Sequence, residues 1–299
     1  MENFTLYFLG IIALLGLFVG SFLNVVIYRL PIMLQRDWLN QCTEFLSETC
    51  HITLPEPQST PKILAEPQTF NLALPASTCK ECRTKIKFYD NIPVISYLIL
   101  RGKCRNCHTH ISIRYPFIEL LTAVLSIITA LYFGKTLTLL IPALILTWSL
   151  IALTWIDIDE QILPDNITLP LLWMGLLLNI PESFCPLPQA IIGAVVGYLS
   201  LWSLYWIFKL LTGKEGMGYG DFKLMAMLGA WMGIKSLLPI ILLSSLVGAV
   251  VGITLIVLKK QHRDNPIPFG PFIAAAGWIT FIWGDEIIQA YLRFSGLSV

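Results

Sequence analysis

The stretch TLTLLIPALILTWSLIALTWI, residues 136–156, decides the fold class, because it contains no charged side chain between Lys135 and Asp157. About 20 apolar residues are enough for a helix to cross the hydrocarbon core of a bilayer. Other apolar runs lie at residues 3–28, 120–134, 166–181, 187–208, 224–234, 236–258 and 265–284. We therefore expect an all-α polytopic membrane protein with about eight transmembrane helices, several of them short.

The composition excludes a chain that folds mainly in water. It is 56% hydrophobic and 13% charged, with a mean hydropathy of +0.71, whereas soluble domains have about 25% charged residues. The net charge of +1 gives no reason to expect nucleic acid as a partner, and the lipid bilayer is the expected surrounding. The first apolar run lacks the basic start and the small-residue cleavage site of a signal peptide, so we expect a retained helix.

The lysines and arginines are unevenly distributed, and their distribution predicts the orientation of the chain. Eleven of the twenty fall between Arg29 and Arg114, and cytoplasmic segments next to membrane spans retain positive charge. We expect residues 1–29 to form the first transmembrane helix, with a periplasmic amino terminus. Residues 30–115 are then a cytoplasmic loop, and residues 116–299 a transmembrane helix bundle.

Two pairs of cysteines in the loop have the spacing of a metal site. Cys79 and Cys82 form one C-x-x-C pair, and Cys104 and Cys107 form a second pair after an interval of twenty-one residues. This spacing is typical of a zinc ribbon, in which each pair contributes two thiolates to a closed, structural site. Unrelated thiols or a disulfide frame are the alternative, and a cytoplasmic location disfavours disulfides.

The rest of the loop carries weaker signals. Residues 53–75 are rich in Pro, Gln, Ser and Thr, which suits an extended connection. His108 and His110 adjoin the second cysteine pair and could replace a sulfur, although such a histidine is more often a solvated neighbour. No partner spacing is found for the remaining cysteines, Cys42, Cys50 and Cys185. The sequence shows no internal repeat.

Carboxylates at the ends of apolar runs are candidates for function, because burying them near a membrane is costly. One group lies at Asp157–Asp165, directly after an uncharged run, and a second is the aspartate of Gly218-Tyr-Gly-Asp221. If Asp157 and Asp221 meet, they share a proton, so that one can activate a water while the other polarises a scissile carbonyl. This pair of roles is the chemistry of an aspartic protease.

A structural explanation competes with the catalytic one. Aspartates at helix starts act as N-caps and favour the positive end of the helix dipole, and we expect this role for Asp165. Asp159 and Glu160 are expected to be solvated loop charges. For Asp157 and Asp221, composition alone leaves both explanations open.

Several motifs in their order resemble the type IV prepilin peptidases, inner-membrane aspartyl proteases of the GxGD type. The resemblance runs nearly from end to end of the chain. The motifs that carry it are Gly20–Pro31 (GSFLNVVIYRLP), the two cysteine pairs, Arg114–Glu119 (RYPFIE), Asp157–Asp165, Gly218–Lys223 and Pro268–Pro271 (PFGP).

The resemblance implies that Asp157 and Asp221 are the catalytic pair of a bacterial inner-membrane endopeptidase whose active site lies at the cytoplasmic face. It implies that the substrates are type IV prepilins and type II secretion pseudopilins, whose basic leader is removed. Relatives with the cysteine loop are also N-methyltransferases that use S-adenosylmethionine, so this second activity and methyl donor are expected here. A multi-pass ion-coupled transporter with intramembrane carboxylates, or a zinc-bearing membrane adaptor, is the alternative function.

Overall fold

The computed structural model describes residues 2–48, 70–258 and 267–294, and the regular structure within these ranges is helical apart from two isolated β-bridges. The expected all-α class is confirmed. The α-helices are α1 Glu2–Glu48, α2 Ile95–Ile99, α3 Arg114–Phe133, α4 Leu137–Glu160, α5 Asp165–Leu178, α6 Leu187–Thr212, α7 Tyr219–Met232, α8 Leu237–Val257 and α9 Gly270–Phe294. The chain consists of two compact units, Met1–Ala130 and Leu131–Val299.

Every apolar run of the sequence corresponds to one helix of this series. Six of the helices within the described ranges are long and apolar enough to cross a membrane, namely α1, α3, α4, α6, α8 and α9. The helices α5 and α7 have 14 residues each, which at 1.5 Å per residue is about 21 Å, less than the roughly 30 Å of a hydrocarbon core. Six span-length helices in the described ranges therefore compare with the expected total of about eight, and α5 and α7 are the two apolar runs that form shorter helices.

In the first unit, α1 is 47 residues long and does not end where the apolar run ends at Arg29. A charge marks where a helix leaves the hydrocarbon, whereas only the backbone decides where the helix stops. Gly16 and Gly20 let α1 pack closely on α3, because a Cβ at either position would lie 2.7 Å from the Cα of Ala123 or Glu119. Most of the extended connection expected over residues 53–75 lies outside the described residues.

In the second unit, α7 is the central helix, and its side chains from Leu224 to Trp231 are buried. Its contact with α6 is a close backbone crossing, because a Cβ added at Gly193 would lie 2.5 Å from the carbonyl oxygen of Gly229. Small residues at such spacing are the usual means of packing helices in membranes. On the α5 side, the indole N–H of Trp231 donates to the carbonyl of Leu171 at 2.8 Å.

Candidate active site and metal centre

Asp157 lies in the last turn of α4, within the unit Leu131–Val299. The helix ends because Gln161 adopts the left-handed conformation (φ 54°, ψ 40°) and its N–H donates to the carbonyl of Asp157 at 3.0 Å. The Asp157 side chain is only 6% exposed. Its Oδ2 is buried and has no hydrogen-bond partner among the described residues. A buried carboxylate oxygen without a protein partner is available to a water or a substrate.

Asp221 is the third residue of α7, in the same unit. Gly218 caps this helix in an extended conformation (φ −83°, ψ 150°), and the N–H of Asp221 donates to its carbonyl at 3.2 Å. Asp221 is also 6% exposed. The glycine motif therefore places its aspartate in the first turn of the most buried helix of the unit.

Leu163 and Gly270 join the segments that carry the two aspartates. A Cβ added at Gly220 would lie 2.8 Å from the Cβ of Leu163. A Cβ added at Gly270 would lie 3.1 Å from Cδ1 of the same leucine and 2.6 Å from Oδ2 of Asp157. The Asp157 and Asp221 carboxylates lie within range of each other's electrostatic repulsion. The structure thus brings both predicted aspartates into one site.

Gly270 is the residue of this site that sequence reasoning did not single out. It begins α9, and its backbone faces the Asp157 carboxylate. The segment Pro268–Pro271 was recognised only as part of a family resemblance and had no assigned role. A glycine between two prolines at a helix start is the signal that could have identified it, because a position restricted to glycine often marks a close approach of the backbone to another group.

The other acidic residues of the Asp157–Asp165 segment lie outside this buried site. Asp159 and Glu160 are exposed, as expected, but they lie in the last turn of α4 and not in a loop. Asp165 lies in the first turn of α5, where a carboxylate favours the helix dipole as expected, but the expected N-cap role is wrong, because Pro164 occupies the cap position. Its carboxylate instead binds the Lys223 ammonium, with Nζ–oxygen distances of 2.7 and 2.8 Å. A full positive charge is a stronger partner than a backbone N–H, and the ion pair joins α5 to α7.

Two buried carboxylates that repel each other can share a proton, and such a pair titrates as a unit. Such a site can hold a water between one ionised and one protonated carboxyl group. The ionised group accepts a proton from the attacking water, and the protonated one donates to a carbonyl oxygen. The arrangement suits hydrolysis of a peptide bond.

The four predicted cysteine ligands meet in the first unit. The Sγ atoms of Cys79, Cys82, Cys104 and Cys107 all lie within 4.8 Å of one another, and Cys79 and Cys107 are 3.8 Å apart. A tetrahedron with metal–sulfur bonds of about 2.3 Å has edges of about 3.8 Å. The donor set and its spacing therefore fit zinc, with no position left for a substrate.

The two cysteine pairs lie on matching knuckles, which is a short internal repeat that we did not expect from the sequence. Bridges pair Thr78 with Lys85 and Lys103 with His110. In each knuckle the residue after the second cysteine has a positive φ, 53° at Arg83 and 56° at His108. The repeat lies in backbone conformation more than in side-chain identity, and for that reason it is hard to detect in sequence.

The thiols of the cluster differ in proton affinity. Hydrogen bonds with the hydroxyl and backbone of Thr84 lower the pKa of Cys82 to about 6, and Thr109 lowers the pKa of Cys107 in the same way. Backbone N–H groups of Cys82 and Glu81 favour the Cys79 thiolate, but burial and the neighbouring thiols outweigh them and raise its pKa. Thiolates are the metal-binding form, and a lowered pKa favours the thiolate.

The neighbouring histidines and the other described cysteines are not part of this group of ligands. The group of potential metal ligands found in the described ranges does not include His108 or His110. Cys42 is exposed and Cys185 is buried, and neither forms a disulfide. Cys50 lies outside the described residues.

Comparison with known proteins covers nearly the whole chain. Residues 14–133 match the bacterial peptidase A24 N-terminal domain, and residues 144–253 match the type IV leader peptidase family. The chain is 52% identical to a prepilin leader peptidase/N-methyltransferase of Aeromonas salmonicida, over 96% of this chain and 94% of that protein. Relatives of the same name are 53% identical in Stutzerimonas stutzeri and 51% in Pseudomonas aeruginosa, each over 95% of this chain and 93% of the relative.

No solved structure matches the chain. The apolar helices together with these relatives indicate a multi-pass inner-membrane protein. Identity of about half over nearly the full length of both chains, with both family domains in their order, settles the relationship. This chain is a member of the type IV leader peptidase family.

Proposed function

We propose that this protein cleaves the basic leader peptide from type IV prepilins and type II secretion pseudopilins, and then N-methylates the new amino terminus. The observation that carries the proposal is the buried pair Asp157 and Asp221, in a chain whose relatives are named prepilin leader peptidase/N-methyltransferase over at least 93% of their length. The alternative of an ion-coupled transporter is not favoured, since the relatives and the family domain are those of a peptidase.

In the proposed mechanism, Asp157 and Asp221 hold one water and one shared proton. The ionised carboxylate takes a proton from the water as its oxygen attacks the carbonyl carbon at the end of the leader. The protonated carboxyl group donates a hydrogen bond to the carbonyl oxygen, where negative charge develops. Collapse of the tetrahedral intermediate breaks the C–N bond, and the leaving amine takes up a proton from the pair.

The close backbone contacts at Gly220 and Gly270 support this assignment. They leave little room beside Leu163 and Asp157, so the backbone of Gly270 limits where the Asp157 carboxylate can lie. Preorganised groups of this kind contribute most to rate when they need no rearrangement in the transition state. Gly270 is a positioning residue in this proposal, because it acts through Asp157.

The four cysteines are proposed to bind one structural zinc ion. The zinc would hold the two knuckles together, because the segment between them contains few buried apolar side chains. We assign methyl transfer to the part of the chain that contains this loop, with S-adenosylmethionine as the methyl donor.

The proposed orientation has a periplasmic amino terminus and the aspartates at the cytoplasmic face. It rests on the eleven lysines and arginines between Arg29 and Arg114 and on Lys209, Lys214 and Lys223, which flank the glycine motif. A substrate with a basic leader and an apolar helix would then present its cleavage site at the membrane boundary.

A reconstituted assay tests the function. Purified protein in lipid vesicles is mixed with a synthetic prepilin and S-adenosylmethionine, and the products are identified by mass spectrometry. We expect release of the intact leader and a mature chain heavier by one methyl group. Without S-adenosylmethionine, cleavage should continue and the methyl group should be missing. An uncut prepilin in vesicles that contain folded protein would refute the proposed function.

A further inference from the structure

The edge of the four-cysteine module formed by Phe88–Ile99 is unusually apolar for a surface. Phe88 is 88% exposed, Ile99 71% and Leu98 67%. Ile92 and Ile95 are exposed beside them. A cluster of large apolar side chains of this kind on a water-facing surface marks a contact with a partner or a membrane.

Contacts with α1 indicate how far into the membrane span this edge reaches. A shallow cavity has Phe18, Phe22 and Val25 of α1 on one side and Phe88 and Ile92 on the other. These α1 residues belong to the uncharged run that ends at Arg29. At 1.5 Å per residue, Phe22 lies about 10 Å before that charge along the helix. The edge therefore reaches the level of side chains that belong to a membrane span.

Other contacts in the same unit show that the first knuckle lies nearer the charged end of the α1 span than the Phe88–Ile99 edge does. The Lys80 ammonium lies over the ring of Tyr28, 5.2 Å from the ring centroid. Tyr28 lies about 9 Å further along α1 than Phe22. Arg29 donates to the carbonyls of Asn71 at 2.8 Å and Pro75 at 2.6 Å. The first knuckle and the segment before it thus lie at the charged end of the span, and the 88–99 edge lies deeper.

The helix α3 provides an independent measure. Oε2 of Glu119 accepts the N–H of Val94 at 2.8 Å, and Glu119 is five residues inside a span-length helix that begins at Arg114. Val94 has φ 60°, a conformation that costs energy for a β-branched residue. The buried Glu119 holds the chain in this turn, which brings the apolar edge against the spans.

The charge of the module suits a particular kind of membrane surface. Residues 78–114 contain eight lysines and arginines but only Glu81 and Asp90 as acids. Asp90 is bound by the Arg105 guanidinium through both oxygens, with Nε–oxygen distances of 3.0 and 3.1 Å, so it does not oppose insertion as a free charge. Basic segments beside a span are attracted to anionic headgroups, and amphipathic lysine and arginine chains reach outward from an apolar base.

We propose that the Phe88–Ile99 edge is inserted into the interface of a bilayer that contains anionic lipids, with the basic side chains of the module against the headgroups. Exposed aromatic and aliphatic residues beside lysines and arginines are typical of interfacial insertion. This inference does not depend on the proposed peptidase or methyltransferase activity.

Photo-cross-linking in vesicles tests the proposal. The photoreactive residue benzoylphenylalanine replaces Phe88, Leu98 or Ile99, with Glu81 on the first knuckle as the matched exposed control. The protein is reconstituted in vesicles of phosphatidylethanolamine and phosphatidylglycerol. We expect lipid adducts at least about fivefold more abundant from positions 88, 98 and 99 than from 81. Equal yields at all four positions, or adducts to a protein in place of lipid, would overturn the insertion.

A second measurement needs no substitution. Hydrogen–deuterium exchange of the unmodified protein should be slower in peptides covering residues 88–99 in phosphatidylglycerol-containing vesicles than in phosphatidylcholine vesicles. Peptides of the first knuckle should differ less. Equal exchange in the two lipids would contradict the preference for anionic headgroups.

Discussion

At the scale of single residues, the site depends on glycines that allow the backbone to approach other groups closely. Gly270 faces the Asp157 carboxylate, and Gly220 faces Leu163. Both approaches are closer than a Cβ atom would tolerate. Gly220 and Gly270 are therefore explained by the close approach of Leu163 and Asp157, whereas a Cβ at Gly218 would meet nothing closer than 3.9 Å. None of these three glycines has a positive φ.

Replacement of Gly270 by alanine should impair cleavage without unfolding the protein. The new Cβ would lie 2.6 Å from Oδ2 of Asp157, so the carboxylate must move, and a displacement of about 1 Å at a reacting group can cost about a hundredfold in rate. We expect kcat for leader cleavage to fall at least about tenfold. Gly252→Ala is the matched control, since its Cβ meets only Ile267 Cδ1, at 3.6 Å. Equal loss in both variants would argue against a positioning role.

Composition and spacing nominated the carboxylates, but the choice of Asp157 as a catalytic residue rested on the family resemblance. Asp157, Asp159 and Asp165 lie within nine residues, and all three follow an apolar run. In the structure Asp157 shares a buried face of α4 with Leu150 and Leu153 and packs against Gly270, whereas Asp159 is exposed. The ion pair of Asp165 with Lys223 joins residues 58 positions apart, and local propensity carries no information at that distance.

At the scale of secondary structure, the crossing of α6 and α7 holds the most buried helix of the second unit in place. Gly193 and Gly229 bring the two backbones together, and Gly197 lies one turn along α6, where a Cβ would be 2.8 Å from the carbonyl of Met225. The crossing fixes α7, and α7 carries Asp221.

Replacement of Gly229 by alanine should destabilise the protein. Its Cβ would lie 2.2 Å from the carbonyl oxygen of Gly193, and backbone cannot rotate away as a side chain can. Overpacking of this kind costs about 1–3 kcal/mol, and we expect a lower midpoint of thermal unfolding in detergent. Gly10→Ala serves as the control, because nothing lies within 4 Å of its Cβ and alanine favours a helix. An unchanged midpoint for Gly229→Ala would contradict the crossing.

The cysteine knuckles should bind one zinc per chain. Elemental analysis of purified protein should find about one equivalent, with X-ray absorption distances of about 2.3 Å to four sulfurs. Cys79→Ser should lose most of the metal, because it removes one of four ligands. Cys42→Ser should retain it, since Cys42 is an exposed cysteine outside the cluster. A folded loop in a preparation that lacks metal would refute a structural zinc site.

Helix boundaries were the part of the fold that sequence predicted least well. Arg29 ends the apolar run, yet α1 continues to Glu48, because hydropathy indicates which residues lie in lipid and does not indicate where the helical backbone ends. The cysteine spacing, by contrast, predicted its cluster correctly, since metal ligands must meet and the spacing itself carries that constraint. The long-range contacts of Gly270 have no such local signature.

At the scale of the whole molecule, two lines of evidence divide the chain at nearly the same place. The compact units meet between Ala130 and Leu131, and the two family domains match residues 14–133 and 144–253. The cysteine cluster lies in the first unit and both aspartates in the second. This division suggests that the two proposed activities are separable.

Separable sites make methylation independent of the aspartates. The variant Asp221→Asn should methylate a pilin that is supplied already cleaved, since its cysteine loop is unchanged, while removal of the metal should impair this methylation. The measurement is transfer of label from S-adenosylmethionine to the pilin amino terminus. If folded Asp221→Asn lost methylation of the cleaved pilin, the two sites would have to overlap.

The central claim is that Asp157 and Asp221 act as one proteolytic pair. The most direct measurement is the rate of leader cleavage by Asp157→Asn and Asp221→Asn in vesicles, with Asp159→Asn as the exposed control from the same segment. Asparagine keeps the size of the side chain but removes the proton that the pair shares. We predict a loss of at least about a hundredfold for each of the first two variants, and near-normal cleavage for the control. Cleavage at the unmodified rate by either Asp157→Asn or Asp221→Asn, in folded protein, would contradict the account.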